Sequence, residues 1–194
     1  MDGNNMQYWQ NRYLENSTAW DLGEVSPPLK AYIDQLTNKE LKILVPGAGN
    51  AYEAEYLHKQ GFKRVFVVDW AEQAILNLQE RIVDFPERNL YVMDFFEIEE
   101  KFDIIIEQTF FCALKPSLRK NYVDKMHDIL SEKGKLAGLL FQIPLNTEHP
   151  PFGGDKQEYL ELFQEKFHIK TMETAHNSIG PRKENELFVI LEAK

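Results

Sequence analysis

Residues 43–51 read ILVPGAGNA. An apolar run leads straight into Gly47 and Gly49, the pattern of a buried strand ending in a tight turn where a ligand can approach the backbone. Further apolar runs alternate with helix-patterned segments along most of the chain. Strands are expected at about 42–46, 64–69, 89–93, 102–107, 135–142, 167–173 and 186–192, and helices at about 51–60, 71–83, 116–130 and 155–165. Continuous apolar strands separated by helices predict an α/β fold, a mostly parallel sheet covered on both faces. The last two runs follow one another without a long helix between them, so the sheet is expected to end in an antiparallel hairpin. The Pro/Gly-rich connection 143–154, IPLNTEHPPFGG, reads as a loop, either a rigid turn or a wall of an acceptor pocket.

A length of 194 residues suits one domain spanning 1–194. Twenty-two Lys and Arg against 31 Asp and Glu give a formal charge of -9, and the basic residues form no stripe. That balance argues against non-specific nucleic-acid binding. The single cysteine, Cys112, excludes an intramolecular disulfide and suits a reducing compartment. No apolar run approaches the roughly 18 residues needed to span a bilayer, and residues 1–20 lack a signal-peptide core. A cytoplasmic location without membrane or nucleic-acid partners is therefore expected. The five histidines show no ligand spacing, and no metal site is expected.

In an open sheet of this kind, ligands bind beyond the carboxyl ends of the strands. The glycine turn, Asp69, Asp94 and Glu107 all fall at such ends. Asp69 follows Gly49 by about twenty residues, the spacing at which a carboxylate accepts from two ribose hydroxyls. That spacing marks a nucleoside site and fits either NAD or S-adenosylmethionine. Tyr52 stands where a dinucleotide fingerprint wants Gly or Ala, and its ring opposes the close helix packing that aims amides at a pyrophosphate. Asp94 with Phe95 suits an adenine, the acid accepting from its amino group while the neighbouring backbone and ring hold the base. S-adenosylmethionine offers adenine and ribose without a phosphate.

The sequence resembles the thiopurine S-methyltransferase family, and especially its halide and thiol branch. The likeness runs through YWQNRYLENSTAWDLGEVSPPL, VPGAGNAYEAEYL, VVDWAEQAI, MDFFE, FDIIIEQTFFCALKPSLRKNYVDKM and SIGPRKENELF. The run FFCAL-x-P-x-L-R is far more specific than the glycines. The resemblance implies a Rossmann-like class I methyltransferase fold, a seven-stranded sheet in the order 3-2-1-4-5-7-6, with S-adenosyl-L-methionine as cofactor and a small-molecule methyl acceptor. A monomer or weak homodimer is expected, though the sequence itself does not name the oligomeric state. The resemblance also implies that residues 1–38 cover the cofactor, with Trp9, Tyr13 and Trp20 at the family's aromatic positions. Gly47 and Gly49 match the first motif, Asp69 with Trp70 the ribose end, and Asp94 with Phe95 the adenine contact. Glu107 and Gln108 match the pair facing the transferred methyl, and Arg182 a basic position in the carboxyl-terminal loop.

The pair at 107 and 108 looks like Asp-Tyr in the halide and thiol branch and Asp-Arg in the thiopurine branch, so Glu-Gln carries over neither acceptor. A soft anion such as a thiolate, hydrosulfide, iodide or thiocyanate needs no protein nucleophile, and one already ionised needs no general base. Aromatic faces toward a sulfonium add cation–π attraction of about 0.5–2 kcal/mol each. Two alternatives stand beside this reading: an oxygen, nitrogen or metalloid acceptor with Glu107 as base, and a module that binds the cofactor without chemistry. Cys112 reads as a small buried hydrophobe, Arg119 as an ion-pair partner, and Arg182 either as a guide for an anionic acceptor or as a solvated charge.

Overall fold

The computed structural model describes residues 5–194. Residues 1–4 of the expected covering segment 1–38 lie outside the described residues. Seven strands form one sheet in the order β3-β2-β1-β4-β5-β7-β6, as the resemblance implies. They are β1 Lys42–Pro46, β2 Arg64–Asp69, β3 Leu90–Val92, β4 Phe102–Gln108, β5 Leu130–Phe141, β6 Phe167–Thr174 and β7 Glu186–Ala193. Pairs β1–β2, β1–β4, β2–β3 and β4–β5 are parallel, while β7 runs antiparallel between β5 and β6.

Among the described residues six α-helices accompany the sheet: α1 Met6–Leu14, α2 Pro27–Ile33, α3 Tyr52–Lys59, α4 Glu72–Arg81, α5 Arg119–Asp128 and α6 Lys156–Phe163. One face packs Leu29 and Ile33 of α2, Ala54 and Leu57 of α3, and Ile75 and Leu78 of α4 against Ile43, Val45, Ile104 and Ile106. The other packs Tyr122, Val123 and Met126 of α5, with Tyr159 and Phe163 of α6, against Leu44, Ile105 and Leu136. Strand residues alternate between these faces because successive side chains leave a strand on opposite sides. In β4, Ile104 and Ile106 serve the first face and Ile105 the second. This alternation decides the fate of Glu107.

Two local expectations are corrected. The helix expected over 116–130 is a 3-10 turn at Pro116–Leu118 followed by α5, and β5 already begins at Leu130. The register between β4 and β5 slips between Phe102 and Ile104, admitting the polar SEKG stretch into the strand. The amino-terminal segment is helical at α1 and α2, the latter opening on Pro27 and Pro28, whose fixed φ suits a first turn.

Candidate active site

The Gly47–Ala51 turn runs through three left-handed residues, Gly47 at φ +53, Gly49 at +56 and Ala51 at +56. A Cβ at Gly47 would run into the Phe110 ring, and one at Gly49 would lie 3.2 Å from the Tyr13 hydroxyl. Only glycine combines this backbone with such close cover. The Gly49 N–H donates to Asp69 Oδ2 at 3.0 Å, and the Ala71 N–H to Oδ1 at 2.8 Å. Burial pushes the Asp69 carboxyl up to about 6, against the opposing pull of these backbone donors.

The first turn of α3 carries Glu53 and Glu55. Glu53 is buried and accepts from the Ser26 N–H at 3.0 Å. A helix start occupied by its own acids is a poor seat for a pyrophosphate.

Past the strand ends lies a cavity of about 670 Å³. Gly47, Asp69, Trp70, Asp94 and Phe95 line it on the β1–β3 side, and Trp9, Tyr13 and Trp20 line it from the amino-terminal segment. Asp94 accepts from the Phe96 N–H at 2.9 Å and so caps a 3-10 turn as well. Trp20 meets Trp9 and Tyr13 edge-on, with ring centroids 5.5 and 5.7 Å apart. Over β4 and β5 the wall is apolar: Phe110, Leu114, Leu118, Phe141, Ile143, Pro150 and Pro151. Of the two alternatives for the 143–154 connection, the cavity wall is the one seen: Ile143, Pro150 and Pro151 line it. The connection is held there by a hydrogen bond from the Phe152 N–H to the Cys112 carbonyl at 2.7 Å and by Arg119, which donates to the Gly153 carbonyl and pairs with Glu158.

Gly49 and Gln108 sit outside this cavity, at a small depression shared with Trp20, Asp21 and residues 48–53. Glu107 lines neither space, which corrects the expectation that it faces the transferred methyl. It is 0% exposed; Oε1 accepts from the Phe110 and Phe111 N–H groups at 2.9 and 3.0 Å, and Oε2 from the Tyr122 hydroxyl at 2.7 Å. Its odd-numbered place on β4 turns it with Ile105 toward α5, while Gln108 turns with Ile104 and Ile106 to the other face. Opposite it in register, Gly138 leaves the room its side chain fills. Burial raises the Glu107 carboxyl to about 7.

Arg182 lines the cavity but is only 6% exposed. It pairs with Glu186 at 3.2 Å and donates to the Trp20 carbonyl, while Ser178 donates to the other Glu186 oxygen at 2.6 Å. Cys112 also lines the wall, but burial pushes its thiol up, so it is no ready nucleophile.

Arg12, Thr109 and Phe110 also line the cavity, and none of them stands at a position that the glycine-to-acid spacing marks. Phe110 stands inside the specific FFCAL run. Arg12 follows Trp9 by three residues on α1, close enough for one helical face. Thr109 takes φ +61, an uncommon conformation for a β-branched residue that no sequence pattern announces.

A sheet in this order, with a glycine turn after β1, an acid closing β2 and another following β3, is that of a class I S-adenosylmethionine-dependent methyltransferase. The solved Burkholderia thailandensis 1,6-didemethyltoxoflavin-N1-methyltransferase, with bound 1,6-didemethyltoxoflavin and S-adenosylhomocysteine, shares this fold. It matches with a TM-score of 0.77 at 18% identity, over 97% of this chain and 86% of that one. The thiopurine S-methyltransferase family model matches residues 4–192, and the chain belongs to that family. A probable thiol methyltransferase 2 of Arabidopsis thaliana is 28% identical over 94% of this chain and 83% of its own length. Thiocyanate methyltransferase 1 of the same plant is 26% identical over 92% and 81%. The protein is an S-adenosylmethionine-dependent methyltransferase. No helix among the described residues is long and apolar enough to cross a membrane.

Proposed function

We propose that the protein methylates a small soft nucleophile, a thiol or an already ionised anion of the thiocyanate or halide kind. The observation that carries this reading is that, among the described residues, no carboxylate or imidazole lines the β4–β5 side of the cavity. Among the described lining residues the only acids are Asp69 and Asp94, at the nucleoside end, and no histidine is present. Glu107, the base that an oxygen or nitrogen acceptor would call on, is sealed behind the wall with both oxygens engaged. An acceptor that arrives ionised needs none of them. The relatives named for thiol and thiocyanate methylation support the same class.

The residues fit the cofactor: a glycine turn under a carboxylate for the ribose, an acid and ring for the adenine, and three aromatic rings. When bound, S-adenosylmethionine supplies a methyl group on a positively charged sulfur. Asp69 would hold the ribose hydroxyls, and Asp94 with Phe95 the adenine. Trp9, Tyr13 and Trp20 of the 1–38 segment would cover the site and exclude water, leaving orientation and desolvation to supply most of the rate. Arg182 fixes Trp20 and shows one side to the cavity, so it shapes that cover. Gln108 lies behind the turn and would act only through it.

The test is S-adenosylhomocysteine formation with sulfide, thiocyanate, iodide, an aromatic thiol and a phenol at matched concentration. Turnover confined to the soft acceptors is the expected result, with a pH–rate profile that follows the acceptor's own ionisation for sulfide and the aromatic thiol and is flat for the already ionised thiocyanate and iodide. Equal turnover of the phenol, or one shared ionisation abolished in Glu107→Gln, would overturn the proposal in favour of base catalysis.

A further inference from the structure

Among the described residues, the cavity holds one cation that no carboxylate answers. Arg12 lies on its wall, with the guanidinium stacked 5.3 Å from the Trp20 ring and 5.9 Å from the Tyr8 ring. Its Nε is buried without a hydrogen-bond partner. Among the described residues no carboxylate pairs with it, whereas Arg182, the other cavity cation, is matched by Glu186. A buried N–H left without an acceptor is costly, and its retention calls for an explanation. The two rings orient the planar group, which suits a forked contact with a carboxylate.

The strand order says which anion lies within reach. A nucleoside laid across β3, β2 and β1 puts adenine at Asp94 and ribose at Asp69, so its amino-acid tail extends toward β1 and β4. At that end the Trp20 indole nitrogen and the Tyr13 hydroxyl stand over Gly49, and Arg12 stacks on the same Trp20. A bare cation would repel a sulfonium in this space unless an anion lay between them. We infer that Arg12 binds the α-carboxylate of the cofactor's methionine tail. Arg12 thereby ties α1 to the cofactor and makes closure of the amino-terminal segment depend on an intact amino-acid tail. The inference rests on S-adenosylmethionine as the cofactor and is independent of the acceptor.

Calorimetry with two ligands tests it: S-adenosylhomocysteine, which carries the carboxylate, and 5′-methylthioadenosine, which lacks the amino-acid tail. Arg12→Ala is expected to weaken S-adenosylhomocysteine by about ten- to a hundredfold, the range of a charge-assisted hydrogen bond. Binding of 5′-methylthioadenosine should stay within about twofold, and Arg12→Lys should recover part of the loss. Unchanged S-adenosylhomocysteine binding would overturn the inference, with the anion then sought in the acceptor. An equal loss for both ligands would overturn it as well, because it would show Arg12 to be packing for Trp20. Failure of the unsubstituted protein to bind either ligand would instead strike at the cofactor site itself.

Discussion

Arg182 donates to the main-chain carbonyl of Trp20 across 162 residues of sequence. It joins the 3-10 turn before β7 to the segment that covers the cavity. The same guanidinium is held by Glu186, itself 3% exposed, so the contact is rigid and largely desolvated. Cover and carboxyl-terminal loop are therefore one mechanical unit.

Substituting Arg182 should consequently affect cofactor binding as well as the acceptor. Arg182→Ala strands the buried Glu186 carboxylate, leaving Ser178 alone with it, and should lower stability by about 3–5 kcal/mol. Arg182→Lys keeps the charge but lacks the fork that serves Glu186 and Trp20 together. In that variant the dissociation constant for S-adenosylhomocysteine should rise several-fold by calorimetry, along with the acceptor Michaelis constant. A rise in the Michaelis constant alone would show that Arg182 meets the acceptor and does not anchor Trp20.

Glu107 bears on stability through its three donors. Glu107→Ala leaves the Phe110 and Phe111 N–H groups and the Tyr122 hydroxyl unsatisfied in a dry core, at a cost of about 2–4 kcal/mol. Glu107→Gln can still accept from the amides. The Glu107 carboxyl is raised in the folded protein to about 7. Its contribution is thus fully present below the ordinary carboxyl range and lost as pH rises through about 7. Urea unfolding at pH 5 and pH 8 should show Glu107→Gln gaining on the unsubstituted protein at the higher pH, by on the order of 2 kcal/mol. A difference between the two proteins that stays constant across this range would mean that Glu107 titrates normally.

Much of this arrangement is legible in the sequence, because buried parallel strands advertise themselves as continuous apolar runs. KILVP, RVFVVD and NLYVM give β1, β2 and β3, and the positions of Asp69 and Asp94 follow from where the last two runs stop. The orientation of Glu107 is not legible. A run such as FDIIIE marks the strand end but not which face each residue takes, and that depends on register with Gly138 and on the packing of Tyr122. The polar start of β5 escapes for a related reason: its first residues sit beyond a register slip and face solvent at Glu132 and Lys133. Helices α1 and α2 are short, and the rings of α1 face a ligand cavity where a core helix would face the sheet.

Trp20 lies at the centre of the aromatic cover, and its removal should discriminate between charge states of the cofactor. A ring near a sulfonium contributes about 0.5–2 kcal/mol of cation–π attraction, which neutral S-adenosylhomocysteine does not enjoy. Trp20→Ala should weaken S-adenosylmethionine by a further twofold to thirtyfold relative to S-adenosylhomocysteine, read by parallel calorimetric titrations. Equal losses for the two ligands would assign Trp20 to packing against Trp9, Tyr13 and Arg12.

If Asp69 holds the ribose as proposed, cofactor affinity should depend on pH. Burial raises its carboxyl to about 6 in the folded protein. In the absence of cofactor, its stability contribution is full below the ordinary carboxyl range and fades as pH rises through about 6. Binding runs the opposite way, because only the ionised carboxylate can accept from two ribose hydroxyls while it holds the Gly49 and Ala71 N–H groups. The dissociation constant for S-adenosylhomocysteine should be level from pH 8 to pH 7 and rise below pH 6, by up to about tenfold per pH unit. Asp69→Asn should bind weakly with little pH dependence over this range, since the amide does not titrate. A profile for the unsubstituted protein that stays flat down to pH 5 would show that the ribose does not engage this carboxylate, and the ligand would then have to sit elsewhere on the glycine turn.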